Sequence, residues 1–478
     1  MKTILTVIGG GSVNWMPTLM RDVYMLDSLE GGEIRLFDPC TERTDAIAGM
    51  LRQFNKQQNK DFKITVHTDR KEALAGAKIV ISTFSPGGID GLHYDLEVPV
   101  KYGIVQPVSC TIGPAGISNA IRTVPEAYEL VQDMEAVCPG AWLLSETNPM
   151  TAVTQAMNAA AKTVKVIGMC HEFHAFGEIS RAIFGFNPPE ELNLYDYLYR
   201  WLPEQGLDFT VCGINHFIWL TEAKLNGKDA LDIPREYASK NQLRLAKSSW
   251  KSPFDNWAPR TSEDDFSIYP WDNEWQAKLE ACRTWGFLSI GGDRHLIEFI
   301  PALCNVRNGF GMQYGVNKTT GDHRKHLMEM RLKTIQNYAS GAESIEWKKS
   351  PEELTCVIQG ILENKPMPCI VNLPNTGQIE NLPMGAIVET FATVDGQRIT
   401  PKPSRKLPEV MAVWARLHLA VVDLTVKAGM EGSRQHLVEA LSLDPLCGQM
   451  DFRDIPKLAD DILRATRKWL PRFGGGKS

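Results

Sequence analysis

Apolar and polar positions in the first third of the chain alternate between two periods. Residues 3–8 form an apolar, β-branched run that ends on three glycines; Leu19, Val23 and Leu26 follow at helical spacing, with Pro17 near their start. Further short apolar runs occupy 33–37, 63–66, 78–82, 142–144 and 165–168, with helical stretches between them. Short strands alternating with helices predict an α/β fold, a Rossmann-type doubly wound parallel sheet over residues 1–170. Beyond that point the alternation gives way to longer helical patterns, so 171–478 reads as a second, mainly helical α+β domain. Within it, 407–430 is a strongly apolar helical run, and 248–270, dense in Trp, Pro, Ser and Asp, has no period and reads as a long loop or flap. The C-terminal GGGKS reads as a frayed tail.

Composition narrows the classes. The 478 residues carry 51 Lys+Arg against 57 Asp+Glu, a formal charge of −6, with 43% hydrophobic and 23% charged positions. Those proportions exclude a disordered or collagen-like chain, and the missing positive surplus excludes nucleic acid or an anionic membrane as the main partner. No window approaches the roughly 20 apolar residues of a membrane span, and the apolar stretch after Lys2 is too short for a signal-peptide core. Ten cysteines without a C-x-x-C pair exclude a zinc knuckle and a dithiol motif, and point to the reducing cytoplasm.

The candidate chemistry sits at strand ends. Gly9, Gly10, Gly11 and Ser12 follow the first strand and open a helix, and Asp38 ends the second strand. Such a turn lets backbone approach a pyrophosphate, and the carboxylate can accept from a ribose diol. A full G-x-G-x-x-G would place glycine at 14, where the chain has Asn14. Asn148-Pro149 turns the chain at the sheet's C-terminal edge, and Cys170 ends another strand. A thiolate there can ligate a metal, or the residue can be a small core side chain. His216 lies among apolar residues, where a histidine is more often a satisfied core residue than a ligand. Asp293, Arg294, His295 and Glu298 crowd a Gly-Gly turn in apolar sequence, where charges need partners or work to do.

Taken in order, GGGS (9–12), N-P-x4-T…K-x-I-G-x-C (148–170), INHFIW (214–219), GGD (291–293) and VNLPNTGQIENLP (371–383) resemble glycoside hydrolase family 4, NAD- and metal-dependent glycosidases. The resemblance implies NAD on the glycine turn, a divalent metal such as Mn2+ on Cys170 and His216, a sugar contact from Asn148, and Asp293 as the base. It also implies a homodimer or homotetramer. In that chemistry hydride leaves the sugar's carbon 3, the ketone acidifies carbon 2, a base removes that proton, and the aglycone departs by elimination. Water then adds and the cofactor returns the hydride, unlike the paired-carboxylate route.

The CHEFH and GGDRH blocks look most like the α-galacturonidase branch. An α-galacturonide or related uronide is then the expected substrate, with Arg294 pairing to the sugar carboxylate or instead to Asp293 or Glu298. His171 and His174 are expected as acid catalyst, substrate contacts or groups orienting the metal. Ser85, Pro86 and Ser145 depart from the family pattern near the substrate, which leaves neutral, sulfonated or phosphorylated sugars as alternatives. A hydroxy-acid dehydrogenase and a non-catalytic dinucleotide sensor compete with the glycosidase reading; Cys170 and His216 argue against the first, and the order and coverage of the site motifs against the second.

Overall fold

The computed structural model describes residues 3–241, 275–316, 318–350 and 352–474; the expected flap at 248–270 and the tail at 475–478 lie outside them. Six short strands, β1 (Ile4–Ile8), β2 (Glu33–Phe37), β3 (Lys63–His67), β4 (Ile79–Ser82), β5 (Trp142–Ser145) and β6 (Lys165–Gly168), form the parallel half of a sheet in the order β3-β2-β1-β4-β5-β6. They coincide with the six apolar runs. β4 and β5 are buried along their whole length, as expected where helices cover both faces. The order reverses between β1 and β4, so a crevice opens beyond their C-terminal ends.

The sheet does not stop at β6. Six later strands, β7 (Leu207–Ile214), β8 (Phe217–Leu225), β9 (Lys228–Asp229), β10 (Met367–Pro374), β11 (Ile387–Val394) and β12 (Ile399–Pro401), extend it through β10-β11-β7-β8-β9, with β12 on β11. The junction is antiparallel, Asn372 of β10 opposite Gly168 of β6. The later chain also returns to the first core: Ile335, Leu354, Val357 and Ile358 are buried in one cluster with Leu5, Val7 and Leu36.

Two long helices brace the other side. Gly113–Val137 packs against Glu409–Glu431, which is the apolar helix expected at 407–430. At their contact a Cβ on Gly429 would stand 3.0 Å from the Ile121 carbonyl oxygen, so glycine sets how closely the two backbones approach. The parallel strands all point their C-terminal ends at one edge, which delivers Gly9, Asn148 and Cys170 to the same side of the sheet.

Candidate active site

The glycine turn forms because β1 must reverse tightly beside β2 and β4. Gly9 has φ +90°, and a Cβ there would lie 2.3 Å from the Thr83 carbonyl oxygen. The Gly9 and Gly10 amides both donate to the Phe37 carbonyl at 2.9 Å, and Ser12 N–H closes the turn on the Gly9 carbonyl at 3.0 Å. Asp38 stands directly beneath: its carboxylate accepts from Gly11 N–H at 3.3 Å and from Cys40 N–H at 2.8 Å. The helix Met16–Tyr24 that follows has no side-chain cap. A glycine cradle, uncapped helix amides and a strand-end carboxylate suit a dinucleotide's pyrophosphate and ribose, so the residues fit that group.

A second turn carries the metal-type chemistry. Ile214 and Phe217 pair across β7 and β8, leaving Asn215 and His216 as a two-residue hairpin turn. His216 takes φ +65°, a left-handed conformation uncommon for side chains other than Gly, Asn, Asp and His. The Gly-Gly pair explains itself here. Residues 288–290 run alongside β8, with Leu220 N–H donating to the Leu288 carbonyl and Ile290 N–H to the Ile218 carbonyl, each at 2.9 Å. A Cβ on Gly291 would then meet the His216 carbonyl oxygen at 2.4 Å. Gly292 N–H donates to Glu172, and the helix Asp293–Phe299 starts there.

Glu172 sits at the centre of this arrangement. Burial alone would raise its carboxyl, but His295, His216, His171 and the Gly292 amide outweigh burial and hold it at about 2. His216 is pushed down to about 4 by burial, and His295 well below its usual range by burial and then by His216, so both imidazoles are neutral and able to coordinate at neutral pH. Their ring centroids are 3.8 Å apart. The donor atoms of Cys110, His216 and His295 all lie within 4.8 Å of one another. Thiol and imidazole donors at that spacing are a chemistry that fits a divalent transition metal. Cys170 is not in this group of three; burial, then Glu389 and Glu172, push its thiol up, while the Glu172 amide and Asn215 reach it.

The other expected residues are placed as follows. His171 packs against Trp15, at 5.4 Å between ring centroids, which links the metal-type cluster to the glycine turn. His174 Nε2 lies 3.6 Å from Glu353 Oε1; burial would lower it, but Glu353 outweighs that and raises it. Asn148 accepts from Met150 N–H at 3.2 Å, its peptide to Pro149 being cis. Ser145 is buried and accepts from the Ser82 hydroxyl at 3.0 Å.

Asp293 and Arg294 are turned into the protein. The Asp293 carboxylate is fully buried and accepts from Ala277 N–H at 2.7 Å and Lys278 N–H at 3.2 Å, capping the helix Gln276–Trp285. Burial raises it, against the neighbouring Lys278. Arg294 donates to the Pro107 carbonyl at 3.0 Å and to Thr319, and burial followed by the nearby Arg324 pushes it down to about 10. Asp293→Asn should therefore lower stability by about 1–3 kcal/mol, because buried amides lose part of their acceptor. Urea denaturation checks this; an unchanged midpoint with a large loss of turnover would assign Asp293 to the chemistry alone.

Four participants carried no signal of their own in the sequence. Cys110 is one of ten scattered cysteines, and Glu172 lies inside a block read for its histidines. Glu389 accepts from Asn215 at 2.8 Å and Asn372 at 3.2 Å, and burial pushes it up to about 7. Asn372 belongs to the 371–383 motif, so that motif supports the hairpin turn from below. Glu146, raised by burial and then by Glu352 and Glu353, completes a carboxylate group beside His174.

Comparison with known proteins decides the family. The sequence profile described as family 4 glycosyl hydrolase matches residues 4–184, and that of the family's C-terminal domain matches 211–447. The chain belongs to glycosyl hydrolase family 4. It is a glycoside hydrolase. Similar proteins include an alpha-galacturonidase of Thermoanaerobacterium saccharolyticum, 29% identical with 98% of this chain and 96% of the relative covered. An alpha-galactosidase of Bacillus subtilis is 26% identical, covering 98% and 99%. A Bacillus subtilis crystal structure described as a glucosidase superposes with TM-score 0.83 at 26% identity over 97% of this chain and 100% of its own. The 6-phospho-beta glucosidase of Thermotoga maritima, solved with manganese, NAD+ and glucose-6-phosphate, shares the fold at TM-score 0.75 and 19% identity, covering 98% and 99%.

Proposed function

We propose that this family 4 enzyme cleaves α-glycosides of an anionic sugar, foremost an α-galacturonide, using NAD and a divalent metal such as manganese. The observation that carries the reading is the convergence on Glu172 of Cys170, His171, His216 and His295, with Trp15 joining them to the glycine turn. The full-length likeness to alpha-galacturonidases supports the choice of sugar. Homodimers or homotetramers in the cytoplasm belong to the same reading. No helix among the described residues is long and apolar enough to cross a membrane.

Gly9, Gly10, Gly11, Ser12 and Asp38 would hold the dinucleotide; Cys170 and His216 would hold the ion, with Asn148 on the sugar. When bound, these groups supply hydride transfer at carbon 3 and Lewis acidity toward the sugar oxygens. Of the two carboxylates available for the carbon 2 proton, the arrangement favours Glu172 over Asp293. Glu172 faces three imidazoles and accepts one backbone amide, from Gly292, whereas Asp293 accepts two and is committed to the start of the helix Gln276–Trp285. His171, between Trp15 and His174, is the nearby group suited to protonate a leaving oxygen. Arg294 serves the substrate from behind, by fixing Pro107 and Thr319.

The deciding experiment is hydrolysis of matched aryl α-galacturonides and α-galactosides in heavy water, with NAD, Mn2+ and a reductant. The α-galacturonide should react roughly tenfold to a hundredfold faster, the range a charge-assisted contact of about 1.5–3 kcal/mol gives. Deuterium should appear at carbon 2 of the product. Equal rates on both sugars would remove the uronide assignment, and an unlabelled product would remove the elimination route.

A further inference from the structure

Resting on the metal-dependent reading above, we infer that Cys110 and His295 are ligands of the divalent ion alongside His216. The three donor atoms lie within 4.8 Å of one another. Ligands about 2.0–2.3 Å from a shared ion cannot be more than about 4.6 Å apart, so the cluster needs only a slight contraction to close on one.

The surrounding hydrogen bonds set the imidazoles for this task. His216 Nδ1 is 2.6 Å from the Thr111 hydroxyl, which assigns Nε2 as its metal-facing nitrogen. His295 Nε2 faces the Glu172 carboxylate, 3.6 Å from Oε1, which leaves Nδ1 for the ion and sets the carboxylate behind the ring. Nδ1 also lies 3.4 Å from Thr111 Oγ1, so the hydroxyl that backs the His216 ring borders the metal-facing nitrogen of His295.

Cys110 is brought to them by construction. Its neighbour Ser109 holds φ +67°, and the loop is pinned where Val108 N–H and Ser109 N–H donate to Glu298 at 2.8 and 3.3 Å. Glu298 lies one turn along the same short helix as His295, so a single element fixes both the second imidazole and the loop that presents the thiol. Core packing alone would not need the hydroxyl of Thr111 and the carboxylates of Glu172 and Glu298 to orient these three side chains.

Cobalt is the probe. The full chain, freed of metal and reloaded with Co2+, should show a near-ultraviolet thiolate-to-cobalt charge-transfer band. Cys110→Ser should lose a large part of it, and His295→Gln should weaken Co2+ binding at least about tenfold. Circular dichroism and thermal unfolding without metal would confirm that each variant folds; if Cys110→Ser does not, Cys110→Ala serves. An unchanged spectrum in the Cys110 variant and unchanged affinity in the His295 variant, with metal lost from Cys170→Ser, overturns this inference and leaves the metal-dependent reading standing. Loss of the band in Cys110→Ser with Cys170→Ser unaffected supports it and moves the thiolate from Cys170 to Cys110. A wild-type protein that takes up no divalent ion overturns both.

Discussion

Stripping both the divalent ion and the dinucleotide from the purified enzyme is expected to abolish glycoside cleavage, and neither added back alone should restore it. The expectation follows from the division of labour at the sheet edge. The glycine turn and Asp38 offer a cradle for a dinucleotide, but no side chain in it can accept hydride. The cysteines and histidines around Glu172 offer metal donors, but neutral imidazoles and a carboxylate held at about 2 are weak replacements for a Lewis acid. Several kcal/mol of lost stabilisation corresponds to a rate decrease on the order of a thousandfold or more. Rates measured after exhaustive chelation and charcoal treatment, then with Mn2+, NAD or both returned, decide the matter; substantial activity with either one absent would refute it.

The largest expected effect on stability lies away from this chemistry, at Arg122. Its guanidinium meets Asp95 in a two-pronged pair, at 2.7 Å and 2.5 Å, with side-chain exposures of only 1% and 0%. It also donates to the Pro86 carbonyl at 2.7 Å and the Ser118 carbonyl at 2.8 Å. Arg122→Ala leaves a buried carboxylate without its counter-charge and the Pro86 carbonyl without this donor, for a loss of about 3–5 kcal/mol. Replacing both partners with apolar residues should recover much of that loss, because the cost comes mainly from the stranded charge. Urea midpoints of the single and double variants provide the check, and a loss under about 1 kcal/mol in Arg122→Ala would contradict it. Pro86 lies in the loop after β4, so the same variant should loosen that loop.

How much of this was legible before folding depends on whether a feature is local. The six parallel strands were visible because each is a short apolar run bounded by turns, with β1, β4 and β5 buried almost throughout. The glycine turn, Asp38 and the turn at Asn148 stood out because strand ends and turns carry their own residue signals, whereas Cys170 and His216 stood out only through the family resemblance. The extension of the sheet by β7 to β12 was not. β10, MPCIVNLP, and β11, IVETFATV, are apolar enough to suit a buried helix as well as a strand, and only pairing with β6 and with each other decides between them. The same holds for the site. GGD was recognisable as a motif, but the purpose of its glycines, passing over the His216 turn and meeting Glu172, exists only once 288–292 lies beside β8. Cys110, Glu172 and His295 are 62 and 123 residues apart along the chain, and their meeting is set by Glu298, Thr111 and the hairpin turn rather than by any spacing. Asp293 and Arg294 show the converse. Sequence alone placed two charges in apolar surroundings, and tertiary structure decided that one caps a helix and the other holds a loop, because burial forces each to find its partners within the protein.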